Sequence, residues 1–117
     1  MAVVNKVNKK IKVTLEKVIK YQIVTYCFMN GIQISASDLN CLAELAKLKV
    51  ASLTDFCSVI SEKGIFKSSQ SCRNALQKAK KKQLIVKNNK KIMLNPDMKI
   101  QSEGYIFLDF KILGGGE

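Results

Sequence analysis

The sequence predicts an α+β domain with three to four helices, a β-hairpin and a C-terminal strand, and three observations carry that expectation. Hydroxyl side chains stand ahead of apolar residues at three-four spacing in four places, at Thr14, Ser35, Ser52 and Ser68 or Ser69, which is how amphipathic helices begin. A branched apolar run, Leu84-Ile85-Val86, passes through a turn and returns as Ile92-Met93-Leu94. Near the end, Gly104 to Leu113 alternates apolar and mixed residues at the period of a half-buried strand. With 117 residues, 47% of them hydrophobic, the chain can bury one core but not two. Three segments are expected: a basic arm or strand over 1–13, the folded domain over 14–96, and a strand with a Gly-rich tail over 97–117.

Residues 1–13 set Val3, Val4, Val7, Ile11 and Val13 among Lys6, Lys9, Lys10 and Lys12. The alternation at Ile11-Lys12-Val13 suits a short strand, and the lysines suit a solvated arm or one lying on phosphate. Thr14 then caps a helix that runs to about Asn30, with Glu16 in its first turn and Gly31 just past its end, the expected placing of start and stop signals. Leu15, Val18, Ile19, Ile23, Tyr26 and Cys27 make its broad apolar face. From Ile23 to Met29 it is apolar nearly all round, which predicts a central core helix or part of a subunit interface. The β-branched content leaves a strand over Tyr21 to Phe28 as the alternative.

Ser35-Ala36-Ser37-Asp38 resembles a capping box, and Leu39, Leu42, Ala43, Leu45, Ala46 and Leu48 carry the second helix to about Lys49. A third start at Ser52-Leu53-Thr54-Asp55 leads a helix with Phe56, Val59 and Ile60 buried, ending near Glu62 and closed by Gly64. The fourth helix, over about 68–82, buries Cys72, Ala75, Leu76 and Ala79 on one narrow face. After it, Lys87-Asn88-Asn89-Lys90 supplies the hairpin turn, with Asn88-Asn89 as its two central residues, because asparagine tolerates the left-handed backbone of tight hairpins. Pro96 ends the returning strand.

The chemistry of the chain is concentrated in that last helix and hairpin. Between Lys63 and Lys91 there is no Asp or Glu, while Lys63, Lys67, Arg73, Lys78, Lys80, Lys81, Lys82, Lys87, Lys90 and Lys91 fall in the same span. A solvated surface helix normally mixes signs, so an all-positive stretch points to a polyanion. Net charge is +11, which favours nucleic acid or another anionic surface, although lysine- and asparagine-rich composition also reflects AT-rich coding. Gln70, Arg73, Asn74 and Gln77 are the residue types whose paired donors and acceptors match adenine and guanine edges in a major groove. Lys63 and Lys67 are expected to face phosphates that set the docking register.

Other functional classes find little support. The longest apolar run, Ile23 to Met29, is much shorter than a bilayer span, so no membrane partner is expected, and the first residues lack the continuous apolar segment of a secretory signal. Cys27, Cys41, Cys57 and Cys72 contain no C-x-x-C pair, so a zinc knuckle is not expected; buried thiols in a reducing compartment are. There is no histidine and hence no imidazole base. Gly114-Gly115-Gly116 is a tail rather than a phosphate-binding turn. The chain is expected not to be an enzyme and to use no cofactor or metal.

The pattern S-Q-x-x-R-x-x-L-x-x-x-x-x-x-x-L-I, at Ser69, Gln70, Arg73, Leu76, Leu84 and Ile85, resembles bacterial winged helix-turn-helix regulators and replication proteins. The string IFKSSQSCRNALQKAKKKQLIVK, with KIMLNP and GYIFLDFKIL after it, is similar to small winged-helix proteins of tailed bacteriophages, including the crAss-like phages. The resemblance covers roughly Ser35 to Pro96. It implies a positioning helix at Ser52 to Glu62, a recognition helix at about 68–82 and a wing at about 84–95. It further implies a double-stranded DNA partner, met by Ser69, Gln70, Arg73, Asn74, Gln77, Lys78, Lys80, Lys81, Lys82, Lys90 and Lys91, in a bacterial host cytoplasm or a phage virion. Phage proteins of this fold also serve as virion components near the portal or neck. For such a component the partners would be neighbouring structural proteins or further copies of the chain. One departure stands out: the family usually places glycine just before the first wing strand, where this chain has Gln83, so a left-handed backbone there would be strained.

Overall fold

The structure, a computed structural model, describes residues 14–101. The expected N-terminal arm and the Gly104–Leu113 strand with its tail lie outside the described residues. The described chain runs α1 (Leu15–Met29), α2 (Ala36–Leu48), β1 (Val50–Ser52), α3 (Leu53–Glu62), α4 (Ser69–Lys81), β2 (Ile85–Asn88), β3 (Lys91–Leu94) and a short 3-10 turn (Pro96–Met98). It is an α+β fold in which four helices pack with a three-stranded antiparallel sheet of order β1-β3-β2.

Three of the four helix starts are capped as the sequence implies. The side chains of Thr14, Ser35 and Ser68 accept the backbone N–H of Lys17, Asp38 and Ser71, each satisfying a donor that the first turn leaves free. Ser52 stands at the N-cap position of α3, but its side chain makes no capping bond. It is the last residue of β1, opposite Lys91, and the free Leu53 N–H donates instead to the Lys90 carbonyl at 2.8 Å. That bond ties the start of α3 to the hairpin turn.

Three helices end in the same paired-bond motif. Ile32 N–H bonds Cys27 O and Gly31 N–H bonds Phe28 O after α1; Ile65 and Gly64 repeat the pattern after α3. The penultimate residue of this motif must be left-handed, and Gly31 (φ 66°) and Gly64 (φ 75°) meet that need without a Cβ. After α4, Leu84 N–H bonds Ala79 O and Gln83 N–H bonds Lys80 O, so Gln83 takes the glycine position at φ 63°.

The core is a single cluster running from Ile19, Ile23 and Cys27 of α1, through α2, α3 and α4, to Ile85, Ile92, Leu94 and Met98. Cys41, Phe56, Cys57, Ile60 and Cys72 lie at its fully buried centre. The Tyr21–Phe28 segment is helix, as expected, and the alternative of a strand is set aside. It is buried on one side only, because Tyr21, Val24, Phe28 and Met29 are exposed, Phe28 at 84% and Met29 at 77%. Val59 also faces solvent. The hairpin turn is one residue later than expected: Asn88 pairs with Lys91 and the two central residues are Asn89, at φ 58°, and Lys90.

Candidate nucleic-acid interface

The sheet register decides which hairpin residues face α4. Ala51, Ile92 and Lys87 align across one face, with Ile85 opposite Leu94 beside them, while Val50, Met93 and Val86 align across the other. The first face packs inward, since Ile85, Ile92 and Leu94 are buried. Lys87, at its outer end, reaches a groove between α4 and the sheet. That groove, about 170 Å³, is lined by Leu53, Gln70, Arg73, Leu76, Gln77, Lys80, Ile85, Lys87 and Ile92. Its floor is apolar and its rim carries Arg73, Lys80 and Lys87.

With about 100° of rotation per residue, the buried Cys72, Leu76 and Ala79 fix the outward face of α4 as Gln70, Asn74, Gln77 and Lys81, all exposed. Gln70 Nε2 donates to Asn74 Oδ1 at 3.0 Å, an i,i+4 pair along the helix. Arg73 lies to one side, half-buried, and its Nη2 donates to Thr54 Oγ1 of α3 at 3.2 Å. Lys80 lies on the same side. Lys78, Lys80 and Lys81 occupy the last turn, where positive charge is favoured by the helix dipole.

The structure does not bring every expected site residue to one place. Gln70, Arg73, Gln77 and Lys80 line the groove, and Asn74 and Lys81 share its outer shoulder. Ser69 is half-buried in the first turn of α4. Lys78 and Lys82 lie on the opposite flank, and Lys82 Nζ donates to the Gln33 carbonyl ahead of α2 at 2.9 Å. Lys90 and Lys91 belong to the hairpin tip and border a shallow apolar hollow with Val50, Val86 and Met93. Lys63, expected to meet phosphate, is held by Glu44 at 2.8 Å. Lys67 is exposed. Lys87 was not among the sequence candidates; the alternation Ile85 in, Val86 out, Lys87 in is the signal that would have found it.

The electrostatics separate into two regions. Glu16 and Glu44 collect Lys20, Lys47 and Lys63 into ion pairs on α1, α2 and the end of α3. Among the described residues, no Asp or Glu pairs with Arg73 or with any lysine of α4 and the hairpin. The positive charge of that region therefore stays uncompensated within the described fold.

Below this surface the four cysteines are buried and free. The neighbouring Cys41 thiol, together with burial, pushes the Cys72 pKa far up. Burial pushes Cys57 up to about 12. Thiols so held are packing groups rather than nucleophiles. No cluster of three or more His, Cys, Asp or Glu among the described residues is placed to hold a metal, and no described helix is long and apolar enough to cross a membrane.

Comparison with protein-family models, with curated proteins and with solved structures finds no match.

Proposed function

We propose that the protein is a winged-helix double-stranded DNA-binding protein, with α4 as its recognition helix and β2-β3 as its wing. The carrying observation is the uncompensated row of positive side chains, Arg73, Lys80, Lys81 and Lys87, bordering an exposed amide-bearing helix face. An α-helix fits a major groove, and the flanking lysines supply positive charge for the phosphates on its walls. The Leu53–Lys90 backbone bond and the Arg73–Thr54 bond support the reading, since they fix the hairpin and α4 against α3 as one rigid surface. A regulator or replication factor of a phage or mobile element is the role this reading favours.

A second reading, a phage virion component that uses the fold as a packing block, draws on a different observation. Tyr21, Val24 and Phe28 form an exposed apolar stripe along α1, and neighbouring subunits in an assembly would cover such a stripe.

Salt titration of binding to random duplex DNA tests the first reading. Each phosphate contact contributes about one unit to the slope of log K against log salt. The full chain is expected to bind with a steep slope, and the Lys80→Ala/Lys81→Ala/Lys87→Ala triple variant to flatten it by about two to three units. A chain that binds no duplex at low salt would leave the assembly role in its place.

A further inference from the structure

We infer that the outward face of α4 reads adenine rather than guanine, through Gln70 and Asn74 acting as one composite amide. This rests on the duplex-binding reading and specifies what that surface selects. In the Gln70 Nε2 to Asn74 Oδ1 bond, one donor and one acceptor are used internally. Gln70 Oε1 and Asn74 Nδ2 make no other hydrogen bond among the described residues, and both side chains are exposed. The unengaged atoms of the pair are therefore one acceptor oxygen, Gln70 Oε1, and one donor nitrogen, Asn74 Nδ2, with one further N–H left on Gln70 Nε2. Adenine offers the complement in the major groove, an N6 amino donor beside the N7 acceptor, whereas guanine offers two acceptors, O6 and N7. Against guanine the Gln70 Oε1 acceptor would face acceptors only and be left without a partner.

The residue that ordinarily supplies two donors to guanine is arginine. The one arginine of this chain, Arg73, is held sideways by Thr54 and half-buried against the groove. It is thereby directed toward the groove wall instead of the base edges. Gln77, one turn beyond Asn74 on the same exposed face, extends the amide row. Lys81 continues it with a charge that suits a phosphate.

Competition between three duplexes of equal length, alternating A·T, G·C and inosine·cytosine, tests the assignment with the full chain. Inosine·cytosine carries the minor-groove pattern of A·T but the major-groove acceptors of G·C. The protein is expected to prefer A·T over both others by about tenfold, the discrimination of one good bidentate contact. Asn74→Ala and Gln70→Ala are expected to abolish the preference, and Lys81→Ala to weaken all three duplexes equally. Equal affinity for A·T and G·C overturns the assignment. So does inosine·cytosine binding as tightly as A·T, which would place the reading in the minor groove, or a preference that survives Asn74→Ala. Binding to no duplex overturns the underlying DNA-binding reading as well.

Discussion

Lys63 Nζ lies 2.8 Å from Glu44 Oε2, joining the end of α3 to the middle of α2 by a charge-assisted hydrogen bond. The Lys63 ammonium, with help from Lys47, holds the Glu44 carboxyl below its usual range against the opposing effect of burial. The carboxylate is thus favoured by folding. Its contribution is complete above the ordinary glutamate pKa of about 4.3 and is lost as pH falls through the depressed folded value. Glu44→Gln is expected to cost about 0.5–1 kcal/mol at neutral pH, the difference from wild type shrinking below about pH 4. Urea denaturation at both pH values measures it.

Gln83→Gly is expected to stabilise the protein by about 1 kcal/mol. Gln83 occupies the left-handed position that Gly31 and Gly64 fill at the ends of α1 and α3, its side chain is exposed, and a Cβ in that conformation is strained. The gain is partly offset by the greater freedom glycine has in the unfolded chain. Denaturation midpoints of Gln83→Gly against Gln83→Ala separate the backbone effect from loss of the side chain, since only glycine relieves the strain.

Two phenylalanines should behave in opposite ways. Phe56 is 2% exposed at the core centre, and Phe28 is 84% exposed. Phe56→Ala is expected to cost about 3–5 kcal/mol and Phe28→Ala less than about 0.5 kcal/mol, read from equilibrium unfolding. A large cost at Phe28 would show that α1 is covered in the full-length protein.

Neighbouring lysines at the end of α4 should differ in their effect on the proposed DNA binding. Lys81 projects from the outward face, while Lys82 is turned to the Gln33 carbonyl. Lys81→Ala is expected to reduce the salt slope by about one unit, and Lys82→Ala to leave it nearly unchanged.

A thiol reagent at neutral pH is expected to modify none of the four cysteines in the native protein and all four in denaturant. Each is at most 2% exposed; burial raises Cys27 and Cys57, and the neighbouring Cys41 together with burial raises Cys72, away from the reactive thiolate. Counting modified thiols against time measures it.

The helices were legible because their signals are local. Thr14, Ser35 and Ser68 cap as their hydroxyls suggest, and Gly31 and Gly64 stop α1 and α3. β1 was not legible. Val50-Ala51-Ser52 has no alternation of its own and becomes a strand only by pairing with Lys91–Met93, far along the chain. The same pairing took Ser52 from its expected cap. Val59 and the outer half of α1 were misplaced because an apolar side chain shows that it can be buried, not that a partner is present. For the candidate site, composition located α4 and the hairpin, but it could not sort the lysines. Lys63 was lost to Glu44, Lys82 to Gln33, and Lys87 gained, through contacts between elements distant in sequence.

The two glutamines Gln22 and Gln101 bond reciprocally, side chain to main chain, with both distances 2.7 Å, so the last described residue is clasped to the middle of α1. Leu15 is only two helical turns from that clasp. A mechanical load applied across residues 14 and 101 would therefore pass through half of α1 and two hydrogen bonds before reaching the sheet or α4. Anything tethered to either end leaves from α1, which packs on α2 and the 3-10 turn, while α4 packs on α3 and β2. The proposed DNA-facing surface thus lies on other elements than those that carry the two ends of the described domain.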